Sequence, residues 1–128
     1  MAATLAPGKC ITYRDSKTNY AVVIAVGEHV LLVARGTKDP QWSDDANLIA
    51  PPVEPRSAAA RRWTDPPITQ TTYFYDFYIK PISSNNKVEV KVHGPCERAL
   101  WNAIRDAAQP KILEFLARAD SKPEIDES

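Results

Sequence analysis

Apolar positions along the chain change period once. Up to Val92 they form short runs or alternate with polar residues, and after Gly94 they recur at helical spacing. "CITY", Cys10 to Tyr13, is β-branched and aromatic and predicts a first strand, followed by the polar connection "YRDSKTN". "YAVVIAV" and "HVLLVA" are apolar runs too short and too β-branched for helix, and Gly27-Glu28 between them turns the backbone, so the pair predicts a β-hairpin. A second hairpin is expected from Thr72–Ile82 and Lys87–Val92 about the turn "SSNN", with Val88, Val90 and Val92 inward and Lys87, Glu89 and Lys91 toward water. Beyond Gly94-Pro95, Leu100, Ala103, Ile104 and Ala107 make a helical stripe with Pro95 in its first turn. Pro110 then kinks or ends the helix before Ile112, Phe115 and Leu116 resume the stripe.

Between the hairpins the pattern lapses. Six of the eleven prolines lie between residues 38 and 70, where missing amide donors exclude a central strand. Within this insertion "SAAARRW", Ser57 to Trp63, suits a capped helical turn or two. The expected fold is mainly β with a C-terminal helix: a small SH3-like barrel or a strongly bent antiparallel sheet. It forms one domain over residues 1–119 with a proline-rich insertion at 38–70, followed by a flexible acidic tail at 120–128.

Composition narrows the function only by exclusion. Among 128 residues, 16 Lys and Arg balance 16 Asp and Glu, so bulk charge selects neither nucleic acid nor membrane. Setting the tail aside leaves fifteen positive residues against twelve negative. Cys10 and Cys96 lack the spacing of a redox pair or zinc site, and burial as small hydrophobes suits them better than a disulfide. With no secretion signal and no apolar run of membrane length, the reading is a soluble cytoplasmic protein that does not enter membranes. Phosphate loops, metal-ligand clusters and serine elbows are missing, so no metal or cofactor is expected.

The order and spacing of segments resembles the MazF/PemK family of toxin endoribonucleases. "PGKCITY" looks like that family's Gly-led first strand, "NYAVVIAV" its second, and "HVLLVARGT" its third, which ends in a polar segment containing Thr. "YDFYIKPI" is similar to a later strand, and "CERALWNAI" sits where the family has a helix. The resemblance covers most of residues 7–37 and 72–108. It implies an SH3-like homodimer that cuts single-stranded RNA without metal and is inhibited by a cognate antitoxin protein, or a degenerate relative of such an enzyme. Carried over residue by residue, it gives Thr37 a contact to a phosphate or the reacting 2′-hydroxyl. Arg35 beside it is a phosphate contact of this sequence's own. The family's catalytic Arg before the second strand is replaced by Asn19, next to Tyr20; Arg14 and Lys17 in the same loop are the candidate substitutes. Catalysis is thus assigned to Thr37, Arg14 and Arg35, and substrate binding to Lys17, Asn19, Arg61, Arg62 and Trp63.

Each assignment has a plainer counterpart. Thr37 after a strand serves as a turn residue, Arg35 as a solvated charge, and Trp63 as an anchor for the insertion where Arg61-Arg62-Trp63 otherwise suits a stacked, charged nucleic-acid contact. His29 and His93 are turn residues or acid-base groups. The alternative function is a non-catalytic SH3-like module that binds a protein or peptide through "YFYDFY" and the insertion.

Overall fold

A computed structural model describes residues 5–14, 17–27, 30–39, 48–64, 66–81 and 90–121. Among them five strands form one antiparallel sheet: β1 (Lys9–Arg14), β2 (Thr18–Val26), β3 (Val30–Thr37), β4 (Tyr73–Pro81) and β5 (Val90–Pro95), in the spatial order β4-β3-β2-β1-β5. A 3-10 turn (Ala60–Arg62) lies in the insertion, and one helix, α1 (Arg98–Ser121), follows the sheet. The fold is therefore mainly β with a C-terminal helix. The sheet is bent and open, with β4 and β5 at its two edges.

The first hairpin forms as the apolar runs require, with Tyr20 opposite Gly36 and Val23 opposite Val33. Its turn begins at Gly27, whose N–H donates to Val30 O at 2.8 Å; Glu28 and His29 lie outside the described residues. The expected second hairpin does not form. β4 pairs with β3, and β5 crosses to the other edge to pair with β1. "SSNN", Lys87, Val88 and Glu89 lie outside the described residues. A sequence pattern of two strands about a turn fixes their alternation but not their partners, and here the hairpin rule gives way to pairing across the chain.

Strict alternation puts two cores on the two faces of the sheet. One face holds Ile11, Tyr13, Ala21, Val23, Leu31, Val33 and Val90. The sheet curls toward this side: Lys80 of β4 sits 4.8 Å over the ring of Tyr13 in β1, although three strand spacings, roughly 14 Å, separate those strands in a flat sheet. The other face, with Cys10, Val22, Ile24, Leu32, Ala34 and Phe74, is covered by the insertion and α1.

The insertion is held by Trp63. Its side chain is 1% exposed, tilted against Phe74 and edge-on to Tyr20, and its indole N–H donates to Ile11 O at 3.0 Å. That carbonyl lies where the β1–β5 register shifts, with His93 and Gly94 together opposite Cys10. Ser57 accepts from the Ala60 N–H at 3.1 Å, so the expected capped turn is a single 3-10 turn.

Helix α1 begins at Arg98 rather than at Pro95, which ends β5, and Glu97 supplies the cap by accepting from the Leu100 N–H at 3.0 Å. It runs through Pro110, whose missing N–H leaves only the carbonyl of exposed Asp106 for water to satisfy. Its buried stripe is Leu100, Ile104, Ala108 and Phe115, against β2 and β3. Ala107 is exposed, because the stripe steps by four residues across this stretch. Residues 122–128 of the acidic tail lie outside the described residues.

Gly36 is where the insertion closes on the sheet. A Cβ there would stand 2.7 Å from Thr72 Cγ2 and 3.3 Å from Tyr20 O. Gly36→Ala is expected to lower stability by about 1–3 kcal/mol in chemical denaturation, the cost of forcing a methyl group into packed surroundings. An unchanged midpoint would mean that Thr72 does not close on β3 as described.

Candidate functional site

The register of the first hairpin builds a groove. Tyr20 and Gly36 are the last pair of β2 with β3; beyond it Thr18 and Asn19 stay paired to β1 and Thr37 to β4, so the two strands part there and open a gap between them. The end of the insertion supplies the third wall: Thr72 and Val53 exchange backbone hydrogen bonds at 2.8 and 2.9 Å, and the Tyr20 hydroxyl donates to Pro67 O at 2.9 Å. The resulting cleft of about 280 Å³ is lined by Lys17, Thr18, Asn19, Tyr20, Gly36, Thr37, Lys38, Ile68, Thr69, Gln70 and Thr72. Among the described residues the lining holds two lysines, four threonines and two side-chain amides, and no Asp or Glu. Such a lining suits an anionic, hydrogen-bonding ligand.

The structure gathers three of the candidate residues here: Lys17, Asn19 and Thr37. Asn19 Nδ2 donates to Lys17 O at 3.1 Å and shapes the rim. Thr37 Oγ1 accepts from the Asp39 N–H at 3.2 Å, which is the turn role of a threonine after a strand; its O–H still has a proton to donate. Arg14 stands at the rim, its Nη1 donating at 3.3 Å to the Thr18 hydroxyl, a groove-lining group.

Other candidates are committed elsewhere. Arg35 alternates to the face opposite Gly36, where its guanidinium pairs with Asp76 and lies 4.3 Å from the Tyr78 ring centroid and 5.6 Å from that of Tyr75. Burial alone would lower its pKa, but the hydrogen bond to Asp76 and the surrounding charges raise it overall. It is a partnered cation and not a wall of the groove. Arg62 donates to Pro95 O at 3.0 Å, tying the 3-10 turn to β5. Trp63, buried between Tyr20 and Phe74, offers no open face to a base, so its anchoring role displaces the stacking role. Arg61 is exposed beside them.

Sequence reasoning did not find Lys38, Thr18, Thr69, Gln70 or Thr72. The polar run "TQTT" after the prolines carried a signal of exposure, but only the fold brings it against the β2–β3 end. His93 lies in β5 and not in a turn: its Nε2 is 3.0 Å from Thr12 Oγ1 between β1 and β5. Cys10 and Cys96 are free thiols in one apolar cluster. Their mutual hydrogen bond, reinforced by burial, pushes the Cys10 thiol far above its usual range, which makes it a poor nucleophile. Among the described residues no group of three His, Cys, Asp or Glu side chains could hold a metal ion, and no helix is long and apolar enough to cross a membrane.

No family model matches this chain, and no curated protein matches it significantly.

Tyr20 joins the groove to the core, and burial raises its pKa above the ordinary 10.0. The unfolded chain ionises this phenol first, so its stabilising contribution is complete below pH 10 and is lost as pH climbs through the folded value. Tyr20→Phe is expected to flatten that part of the stability profile while removing the bond to Pro67. Denaturation midpoints of both proteins from pH 8 to 11 check this, and parallel profiles would refute the assignment.

Proposed function

We propose that the protein binds single-stranded RNA in the groove between β2, β3 and the end of the insertion, and that it is a toxin-like, metal-independent endoribonuclease or its degenerate relative. The observation that carries this reading is the groove lining itself: Lys17 and Lys38 with Thr37, and no Asp or Glu among the described lining residues. The meeting of Asn19 and Thr37 supports the resemblance to MazF/PemK toxins, since these are the two positions at which that family places its catalytic Arg and its Thr.

In the proposed reaction the RNA 2′-hydroxyl gives up its proton to water as its oxygen attacks the adjacent phosphorus, the bond to the 5′-oxygen of the next nucleotide breaks, that oxygen takes a proton from water, and a 2′,3′-cyclic phosphate forms. Lys17 and Lys38 stabilise the charge gathering on the phosphoryl oxygens, and Thr37 donates to one of them. Arg14, on Thr18, adds charge from the rim. The missing arginine costs bidentate recognition, which an ammonium does not replace, so turnover is slow relative to an arginine-equipped site. A cognate antitoxin protein and a homodimeric state belong to the same proposal.

A second reading is a non-catalytic SH3-like module that binds a peptide. It is favoured by edge strand β4, whose Tyr75, Phe77 and Tyr78 are partly exposed, and by the described groove lining, which holds no His, Asp or Glu to act as a base for the 2′-hydroxyl.

Mixed-sequence single-stranded RNA incubated with the protein in EDTA separates the two. The first reading expects binding, cyclic-phosphate products, and loss of cleavage in Thr37→Ala. Lys17→Ala with Lys38→Ala should reduce the slope of log affinity against log salt by about 1.4, roughly 0.7 for each phosphate no longer neutralised. A folded protein that neither binds nor cuts such RNA would leave the peptide reading in possession.

A further inference from the structure

The cations of this chain, which has no net charge, are unevenly placed. β1, β5 and the 3-10 turn together carry Lys9, Arg14, Lys91, Arg61 and Arg62, and no Asp or Glu. Alternation turns Lys9 to the face where β1 buries Ile11 and Tyr13. Arg14 shares the opposite face with Thr12, and Lys91 stands directly across from Thr12 in the β1–β5 register. This is the face on which the insertion lies.

Specific contacts fix the strip at both ends. At one end Arg14 bonds the Thr18 hydroxyl, which lines the groove that also holds Lys17 and Lys38. At the other, Arg62 is held on Pro95 O and Trp63 on Ile11 O, so the 3-10 turn is pinned at the end of β5 with Arg61 exposed on it. Between them His93 meets Thr12. Positive side chains thus lead from the groove, over the rim, and along β5.

We infer that an RNA strand bound in the groove continues out of it along this strip, its phosphates meeting Arg14, Lys91 and Arg61 in turn; the inference rests on the reading of the groove as an RNA site. From strand spacing and rise per residue the path measures roughly 25 Å. That is long enough for several nucleotides, within the range of about 4–16 that single-strand binders engage. Arg62 is a positioning residue in this scheme, since it holds the turn that presents Arg61. Recognition along the strip is of the backbone, because the groups named are cations, and it adds affinity without base preference.

The test is length dependence. Anisotropy titrations of the full chain in EDTA, across a salt series, use a mixed-sequence 3-nucleotide RNA and a 12-nucleotide RNA. Lys91→Ala with Arg61→Ala is expected to weaken the 12-mer about tenfold near physiological salt and to lower its salt slope by about 1.4, while leaving the 3-mer unchanged. Lys111→Ala, an exposed cation on α1, is the charge control and should change neither. Thermal melts establish that each variant is folded. If the double variant keeps the wild-type slope while Lys17→Ala with Lys38→Ala weakens both RNAs, the strand leaves the groove by another route and the inference falls alone. Equal weakening of both lengths by the double variant overturns it as well, by placing those cations within the groove. A folded wild type that binds neither RNA, or that binds an acidic peptide in their place, overturns the inference and the RNA reading together.

Discussion

The indole of Trp63 is the contact on which the arrangement depends. The described part of the insertion is rich in proline and bonds through its backbone at Ile49 and Val53, and side chains supply further order. Trp63 supplies it twice over, by burying its ring between Tyr20 and Phe74 and by bonding Ile11 O at the register shift of β1 and β5. A buried carbonyl left there without a donor would cost about 1–3 kcal/mol. The same residue therefore satisfies the sheet, fixes the 3-10 turn and, through Tyr20 and Pro67, settles the wall of the groove.

Electrostatic character follows from placement and not from totals. Equal numbers of cations and carboxylates would suggest an indifferent surface, yet the described lining of the groove holds two lysines and no carboxylate, whereas Arg35, next to the lining residue Gly36, is cancelled by Asp76 across the sheet. One step of β alternation decides this. Residues 35 and 37 frame a glycine with no side chain, and the strand leaves the sheet directly after them, so neighbours in sequence serve unrelated purposes.

Much of the architecture was legible in the chain. Alternation and β-branching located the strands, Gly27 the first turn, and Ser57 the capped turn, because these are local effects. The pairing of β4 and β5 was not, since "SSNN" between two strands reads as a hairpin whichever partners they take. Nor was the division of labour within Arg61-Arg62-Trp63, where one residue is exposed, one bonds a carbonyl and one is buried; three adjacent residues of suitable chemistry say nothing about which way each points. In the groove, Thr37, Asn19 and Lys17 were named through the resemblance to the toxin family and not from local pattern, which reads Thr37 as a turn residue. The walls from Thr69 to Thr72 could not be named, because their distance from β2 in sequence is bridged only by the folded insertion.

The pairing of β1 with β5 bears on how the chain comes off the ribosome. Strands β2, β3 and β4 are consecutive neighbours in the sheet and can associate as they emerge, apart from the insertion between the last two. β1 pairs early with β2, but its other edge waits for residues 90–95; the contact of Thr12 with His93 spans 81 positions. The chain before β1 waits as well, since Gly8 O receives the Cys96 N–H at 2.7 Å. The exposed edge of β1 is thus the last part of the sheet to be covered during synthesis, and it is the part most open to pairing with another strand in the meantime. The Lys and Arg that border it discourage such pairing between nascent copies by charge repulsion.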